Sequence, residues 1–293
     1  MRKILTIVIA LLVFTIEGRA QMFGDYNYYI YNLKLINPAF TGFEEKTNFT
    51  LMHRTFGTDP RYSLQNRLLT YEGHIKKINS GIGAGLNTTH DMVTSQLSAP
   101  VFYSYQLKIG EFHNIRIGGM AEFKNSRLNR GWHLPVYQIP DSDFDPGILS
   151  SESANTLNYS LGVLYSYKKM FFGGSYNRNR FPHFFTPSSG PFNILSFITG
   201  INIKAGENFE VIPMLAYFKI NQSGYFDINS QFIFHNRILS GFQFRAAENI
   251  NYYSFNAGVR ILQDLEFTSL IYSFVQGRAL DRRGLEFMLR YRI

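Results

Sequence analysis

The sequence predicts an all-β fold: a transmembrane antiparallel β-barrel of about fourteen strands, preceded by a non-strand N-terminal segment. Three observations predict it. Aromatic residues make up 16% of the 293-residue chain, with 28 Phe, 19 Tyr and one Trp, and charged residues only 17%. Phe and Tyr favour strands. Long stretches alternate apolar and polar residues with a period of two, the mark of a strand with two different faces. The connections sort by length: short ones alternate with longer ones, as in outer-membrane barrels with short periplasmic turns and long outer loops.

Residues 1–20 read as an export signal. Arg2 and Lys3 form a basic start, Ile4 to Ile16 is almost wholly apolar, and Gly18 and Ala20 place small residues at the −3 and −1 positions of a cleavage site. Gln21 is then the mature N-terminus. The apolar run is shorter than the ~20 residues a membrane-spanning helix needs, and no later stretch is long enough for one either.

Residues 21–46 form the non-strand segment. In LKLINPAFTG (Leu33 to Gly42), Pro38 has no N–H for a ladder and pushes Asn37 into an extended conformation. Thr41-Gly42 then offers a turn. An even strand count puts both chain ends on the periplasmic side. The segment is expected to fold into the barrel mouth, with Tyr and Phe packed inside and the Asn37-Pro38 kink reversing the chain. The alternative is a solvated tail ordered only by a partner; its many aromatics argue against permanent solvation.

The barrel is expected to occupy residues 47–293. Its candidate strands are 47–56, 61–73, 79–90, 97–109, 113–126, 155–168, 170–180, 192–204, 207–220, 224–235, 237–247, 250–262, 264–275 and 284–292. Most exceed the ~9–11 tilted residues that cross a bilayer. The last strand shows the pattern best: Leu285, Phe287, Leu289, Tyr291 and Ile293 alternate with Glu286, Met288, Arg290 and Arg292. An Arg at the bilayer midplane facing lipid costs ~2–4 kcal/mol. The Leu/Phe/Tyr face therefore points out, and Arg116, Glu122, Asp227, Arg245, Arg260, Glu286 and Arg290 point into the lumen. Mixed signs there suit a cross-barrel network better than a selective pore. Fourteen strands enclose a lumen wide enough to need a plug or to conduct. A soluble sandwich or lipocalin-like barrel is the competing fold, and loops sorted by parity are not expected of it.

The N-terminal run YIYNLKLINPAFTG resembles the start of the PorP/SprF family of Bacteroidota outer-membrane proteins. The residues that carry the resemblance are Tyr29, Asn32, Asn37, Pro38, Ala39, Phe40 and Gly42. GIGAGLNTTHD (Gly81 to Asp91), GFQFR (Gly241 to Arg245), LIYSF (Leu270 to Phe274) and LEFMLRY also look like strands of that family. Where members often carry S-H-E before the last strand, this chain has Arg283-Gly284-Leu285-Glu286. The resemblance implies an outer-membrane role in type IX secretion and gliding motility. It implies as partners periplasmic secretion-motor components, or a secreted surface adhesin with a type-B C-terminal domain, alongside outer-membrane lipid.

Catalytic signals are weak. The chain has no Cys, which excludes thiolate metal sites and Cys nucleophiles. None of the seven His sits in H-E-x-x-H, and there is no G-x-S-x-G. His90, Asp91 and Ser95 fall in one outer loop, where a polar loop is the simpler reading than a nucleophilic site. Three Asp cluster in Asp141 to Gly147 but lack the Glu of a Ca²⁺ hand. GIGAG (Gly81 to Gly85) lacks the helix and Lys of a phosphate cradle. No enzyme activity, cofactor or metal is expected. Removing Arg2, Lys3, Arg19 and Glu17 with the signal lowers the net charge from +8 to +6. The basic residues are scattered, so no nucleic-acid partner is expected.

Two function classes remain. One is a structural and interaction component of the secretion and gliding machinery, with Phe181, His183, Phe184 and Phe185 in a long outer loop awaiting a protein partner. The other is a transport barrel, porin-like or for hydrophobic solutes, which requires a continuous water-filled lumen.

Overall fold

The computed structural model describes residues 27–56, 64–91, 94–128, 153–180, 191–221, 223–247, 250–275 and 282–293. The export signal expected at 1–20, the loop residues Phe181 to Phe185 and the Asp141 to Gly147 cluster lie outside them. Fifteen strands run in chain order: β1 Asn48–Phe56, β2 Leu64–Ile75, β3 Ser80–His90, β4 Thr94–Lys108, β5 His113–Leu128, β6 Ser153–Tyr167, β7 Met170–Asn179, β8 Phe192–Ile201, β9 Ile203–Lys204, β10 Phe209–Ile220, β11 Ser223–Phe234, β12 Ile238–Ala247, β13 Ile250–Arg260, β14 Leu265–Val275 and β15 Arg282–Arg292. β8 and β9 are two pieces of one strand, both paired with β10. The break is at Asn202, whose N–H leaves the ladder to donate to the Lys169 carbonyl at 3.0 Å.

Every pairing is antiparallel between chain neighbours, and β1 closes on β15, from Asn48↔Arg292 to Phe56↔Gly284. The result is a closed barrel of 14 strands. Closure leaves no edge, which lipid demands, because no water is there to satisfy a free N–H or C=O. Beyond the last rung, Thr47 and Ile293 exchange two backbone hydrogen bonds, so both ends of the barrel meet on one side. That side carries the short turns, such as His235-Asn236. Both residues there have positive φ, 49° and 53°, and the Arg237 N–H closes the turn on the Phe234 carbonyl at 2.9 Å. Short turns mark the periplasmic end.

The two strand faces differ as their period demands. Leu157, Leu161, Val163, Phe226, Phe255, Ile271 and Leu289 stand exposed on the outer surface, where lipid covers them. Arg116, Asp227, Arg245, Glu286 and Arg290 are buried inside, and Glu122 and Arg260 are half-buried. The lumen is not purely polar. Leu68, Leu164, Phe171, Ile198, Met214, Phe218, Leu270 and Met288 also point inward and form one apolar cluster with Tyr29, Ile30, Ala39 and Phe40. The core of this protein is therefore the inside of the barrel packed against its own N-terminal segment.

Candidate functional site: the N-terminal segment and its seat

The segment makes three short 3₁₀ turns, Asn27–Tyr31, Leu33–Leu35 and Pro38–Phe40. Asn37 caps the third. Its backbone is extended (φ −130°, ψ 108°), as a residue before proline prefers, and its side-chain oxygen accepts the Ala39 N–H at 3.0 Å. Pro38 takes the first turn position, where no N–H is needed. The Thr41 hydroxyl donates to the Pro38 carbonyl at 2.8 Å. Gly42 then turns the chain with φ +67°, pressed against Gly73 and Gly81 where no side chain fits. The motif N-P-A-F-T-G is a self-capped tight turn.

Its seat is a row of small residues on the barrel wall. Gly81, Ser104, Gly118, Gly162, Ser175 and Ser196 face one another in direct register across β3 to β8. The segment lies along this row, crossing the strands. A Cβ added to Gly81 would run into the Thr41 carbonyl, one on Gly118 into the Pro38–Ala39 peptide, and one on Gly162 into the Asn37 side chain. The serines supply donors between the glycines. Ser104 Oγ donates to the Thr41 carbonyl at 2.7 Å and Ser175 Oγ to the Ile36 carbonyl at 2.7 Å. Asn37 Nδ2 donates to the Val163 and Gly174 carbonyls, both at 3.1 Å. Arg116 reaches the Thr41 carbonyl at 3.2 Å, with its guanidinium over the Phe43 ring.

The opposite wall holds the start of the segment. Arg245 forms a two-pronged ion pair with Asp227, at 2.7 and 2.8 Å. Asp227 also accepts from Tyr29 Oη at 2.8 Å and Gln243 Nε2 at 3.0 Å, so its carboxylate is fully used. Burial, then the Asp227 charge, pushes the Tyr29 phenol well above its ordinary range, which keeps it a proton donor. Gln231 Nε2 donates to the Ile30 carbonyl at 2.8 Å, and Tyr31 bonds Asn256 on β13. Near the periplasmic end, Lys34 pairs with Glu72 at 3.1 Å, and Glu72 also accepts the Gly42 N–H at 3.0 Å. Burial lowers the Lys34 ammonium, and Glu72 opposes that shift.

The residues singled out in sequence thus occupy two kinds of place. Tyr29, Asn32, Asn37, Pro38, Ala39, Phe40 and Gly42 are all buried in the lumen. Arg116, Asp227, Arg245 and Arg290 line the barrel interior around them. Glu286 instead pairs with Arg54 at 3.2 Å across the closing β1–β15 seam, and Arg260 lies near Glu266 at 3.5 Å. Glu122 accepts a hydrogen bond from Asn158 Nδ2 at 2.8 Å. His90 Nδ1 and Ser95 Oγ lie 2.8 Å apart, but Asp91 is engaged by the Thr94 N–H and hydroxyl, so the three form a hairpin end and not a triad. Among the described residues no group of three His, Asp or Glu comes together to hold a metal. Sequence reading missed Glu72, Lys34 and the Gly/Ser row. The row's only linear signal is small residues on the inward phase of successive strands.

A closed barrel with an apolar outer face and an N-terminal segment packed against its inner wall is an outer-membrane barrel that carries part of its own chain inside. The chain belongs to the type IX secretion system membrane protein PorP/SprF family, whose profile matches residues 19–287. No curated protein matches it. Among solved structures, it is similar to the Ralstonia pickettii toluene transporter TbuX at 11% identity and a TM-score of 0.56, over 88% of this chain and 92% of that one. The Pseudomonas putida toluene transporter TodX aligns at 13% and 0.55, over 89% and 93%. Acinetobacter baumannii Omp33 aligns at 7% and 0.52, over 85% and 99%. These likenesses show the fold, and with the family they place the chain in the outer membrane.

Proposed function

We propose that this protein is a closed docking barrel of the type IX secretion and gliding machinery, not a channel and not an enzyme. On this reading it sits in outer-membrane lipid and binds either a secreted surface protein with a type-B C-terminal domain or periplasmic secretion-motor components. The observation that carries the reading is the seat. Residues 36–42 are held across β3 to β7 by glycines without clearance and by hydrogen bonds to β4, β5, β6 and β7. A segment held so tightly serves as a fixed part of the barrel and not as a gate. The test is a mild-detergent pull-down from native membranes with mass spectrometry. Secretion components or a large secreted adhesin are expected in stoichiometric amount. A barrel that comes out alone counts against docking.

The second reading is a transport barrel for hydrophobic solutes. It is favoured by the fold shared with TbuX and TodX, and by the apolar residues inside the lumen. It requires the segment to move aside, and the seat argues against that.

A further inference from the structure

The periplasmic mouth opens into a vestibule of about 500 Å³, whose floor includes Leu33, Phe40 and Phe43 of the N-terminal segment. That volume falls within the ~300–1,000 Å³ of ligand sites. It admits a few side chains, not a folded domain. Seven Lys and Arg residues line the vestibule against four Glu. Most of the carboxylates are already engaged: Glu72 by Lys34, and Glu44 and Glu266 by the Arg260, Arg290 and Arg292 cluster.

Arg290 stands out. Its side chain is 6% exposed, yet its nearest described carboxylate oxygen, on Glu44, is 3.9 Å away, beyond hydrogen-bond reach. Its only other polar contact among the described residues is Met288 Sδ at 3.8 Å. A guanidinium has five N–H donors, and that of Arg290 lines the vestibule with no carboxylate of the described residues within hydrogen-bond distance. The neighbouring Arg260 keeps a buried Nε without an acceptor, the Arg292 Nε lies 3.5 Å from Glu44 without a hydrogen bond, and Glu266 Oε1 lacks a donor. Three guanidiniums thus share two carboxylates above an apolar floor, with Lys46 and Lys169 exposed nearby.

We infer that this vestibule binds an acidic peptide segment that also carries apolar side chains, its carboxylates meeting Arg290 and Arg292 and its apolar groups resting on Phe40 and Phe43. The closed sheet separates the vestibule from the bilayer, so a lipid has no sideways route in; a chain in the periplasm enters from the end. The inference rests on the docking reading for the owner of the segment, but not for the site.

The test uses the purified full-length protein in detergent and fluorescein-labelled hexapeptides. One alternates Glu with Phe, one Lys with Phe, and one Glu with Ser. Anisotropy should show the Glu/Phe peptide binding, the Glu/Ser peptide binding more weakly, and the Lys/Phe peptide not binding. Arg290→Gln with Arg292→Gln should weaken the Glu/Phe peptide about tenfold or more, the scale of one lost charged hydrogen bond. Lys46→Glu with Lys169→Glu, on the exposed rim, should weaken it several-fold in a barrel whose packing is untouched. Equal binding of the Lys/Phe peptide, no effect of either double variant, or full competition by short-chain phosphatidylglycerol with the peptide displaced would overturn the proposal. A pull-down that recovers partners while these peptides fail to bind would overturn the vestibule site and leave docking intact.

Discussion

Asn37 lies directly over Gly162, so that a single methyl group added to the glycine would overlap the Asn37 side-chain oxygen. The two residues are 125 positions apart in sequence, and each dictates the other. The asparagine needs the glycine's empty space to reach the β6 and β7 carbonyls, and the glycine is masked from water by the asparagine.

Gly162→Ala should therefore destabilise the protein by about 1–3 kcal/mol, the cost of overpacking a tight core. Gly119→Ala is the matched control. Its new Cβ would meet nothing closer than 3.9 Å, and it should change stability by no more than about 0.5 kcal/mol. Urea unfolding in lipid vesicles reads the difference. Equal effects would show that the seat is loose.

Asp227→Ala should be among the most damaging single changes in the lumen. It removes the carboxylate and leaves Arg245, 7% exposed at its side chain, as an unpaired buried charge. Breaking one partner of a buried pair costs about 3–5 kcal/mol. Tyr29→Phe removes one donor to the same carboxylate and should cost less, about 1–3 kcal/mol. The same unfolding assay ranks the two, and the reverse order would contradict the pairing described here.

The pH dependence follows from Glu44. Glu44 is half-exposed at the mouth; partial desolvation raises its carboxyl, but Arg290, Arg292 and Lys34 outweigh that and hold it below the usual carboxylate range. Its contribution is thus fully present above the unfolded value of about 4.3 and is lost as the pH falls through the lower folded value. Glu44→Gln should lower the melting temperature at pH 7 and make no difference in strong acid, where both proteins carry a neutral group. A gap that widened on acidification would reverse the sign and contradict the assignment.

Leu161→Arg probes the outer face. Leu161 is 62% exposed near the middle of β6. Arginine there meets hydrocarbon and should cost ~2–4 kcal/mol in vesicles. Far-UV circular dichroism in detergent micelles should stay that of a barrel, since the cost is lipidic. An unchanged stability in vesicles would mean that this face does not meet lipid.

Much of the barrel was legible because strand phase is a local property. Leu285 to Ile293 against Glu286 to Arg292 states its own inside and outside, and β3 begins and ends within one residue of its expected place. The short turns also showed themselves as interruptions of the alternation. The seat was not legible, because Gly81, Gly118 and Gly162 become one surface only when three pairings fix their register, and alternation carries no register between strands. Likewise Arg54 and Glu286 meet only because β1 closes on β15, a pairing of opposite ends of the chain. The inward apolar residues, such as Leu164 and Phe218, ran against a polar-lumen expectation. They are apolar because they pack on the N-terminal segment and not on water.

The most direct test of a lumen closed by residues 36–42 is single-channel recording of the full-length protein in planar bilayers, beside the Asn37→Ala/Gly162→Leu variant, whose seat is spoiled on both sides. The wild type should be electrically silent, and the variant should show stepwise openings. A wild type that conducts steadily would contradict the closed barrel and favour transport.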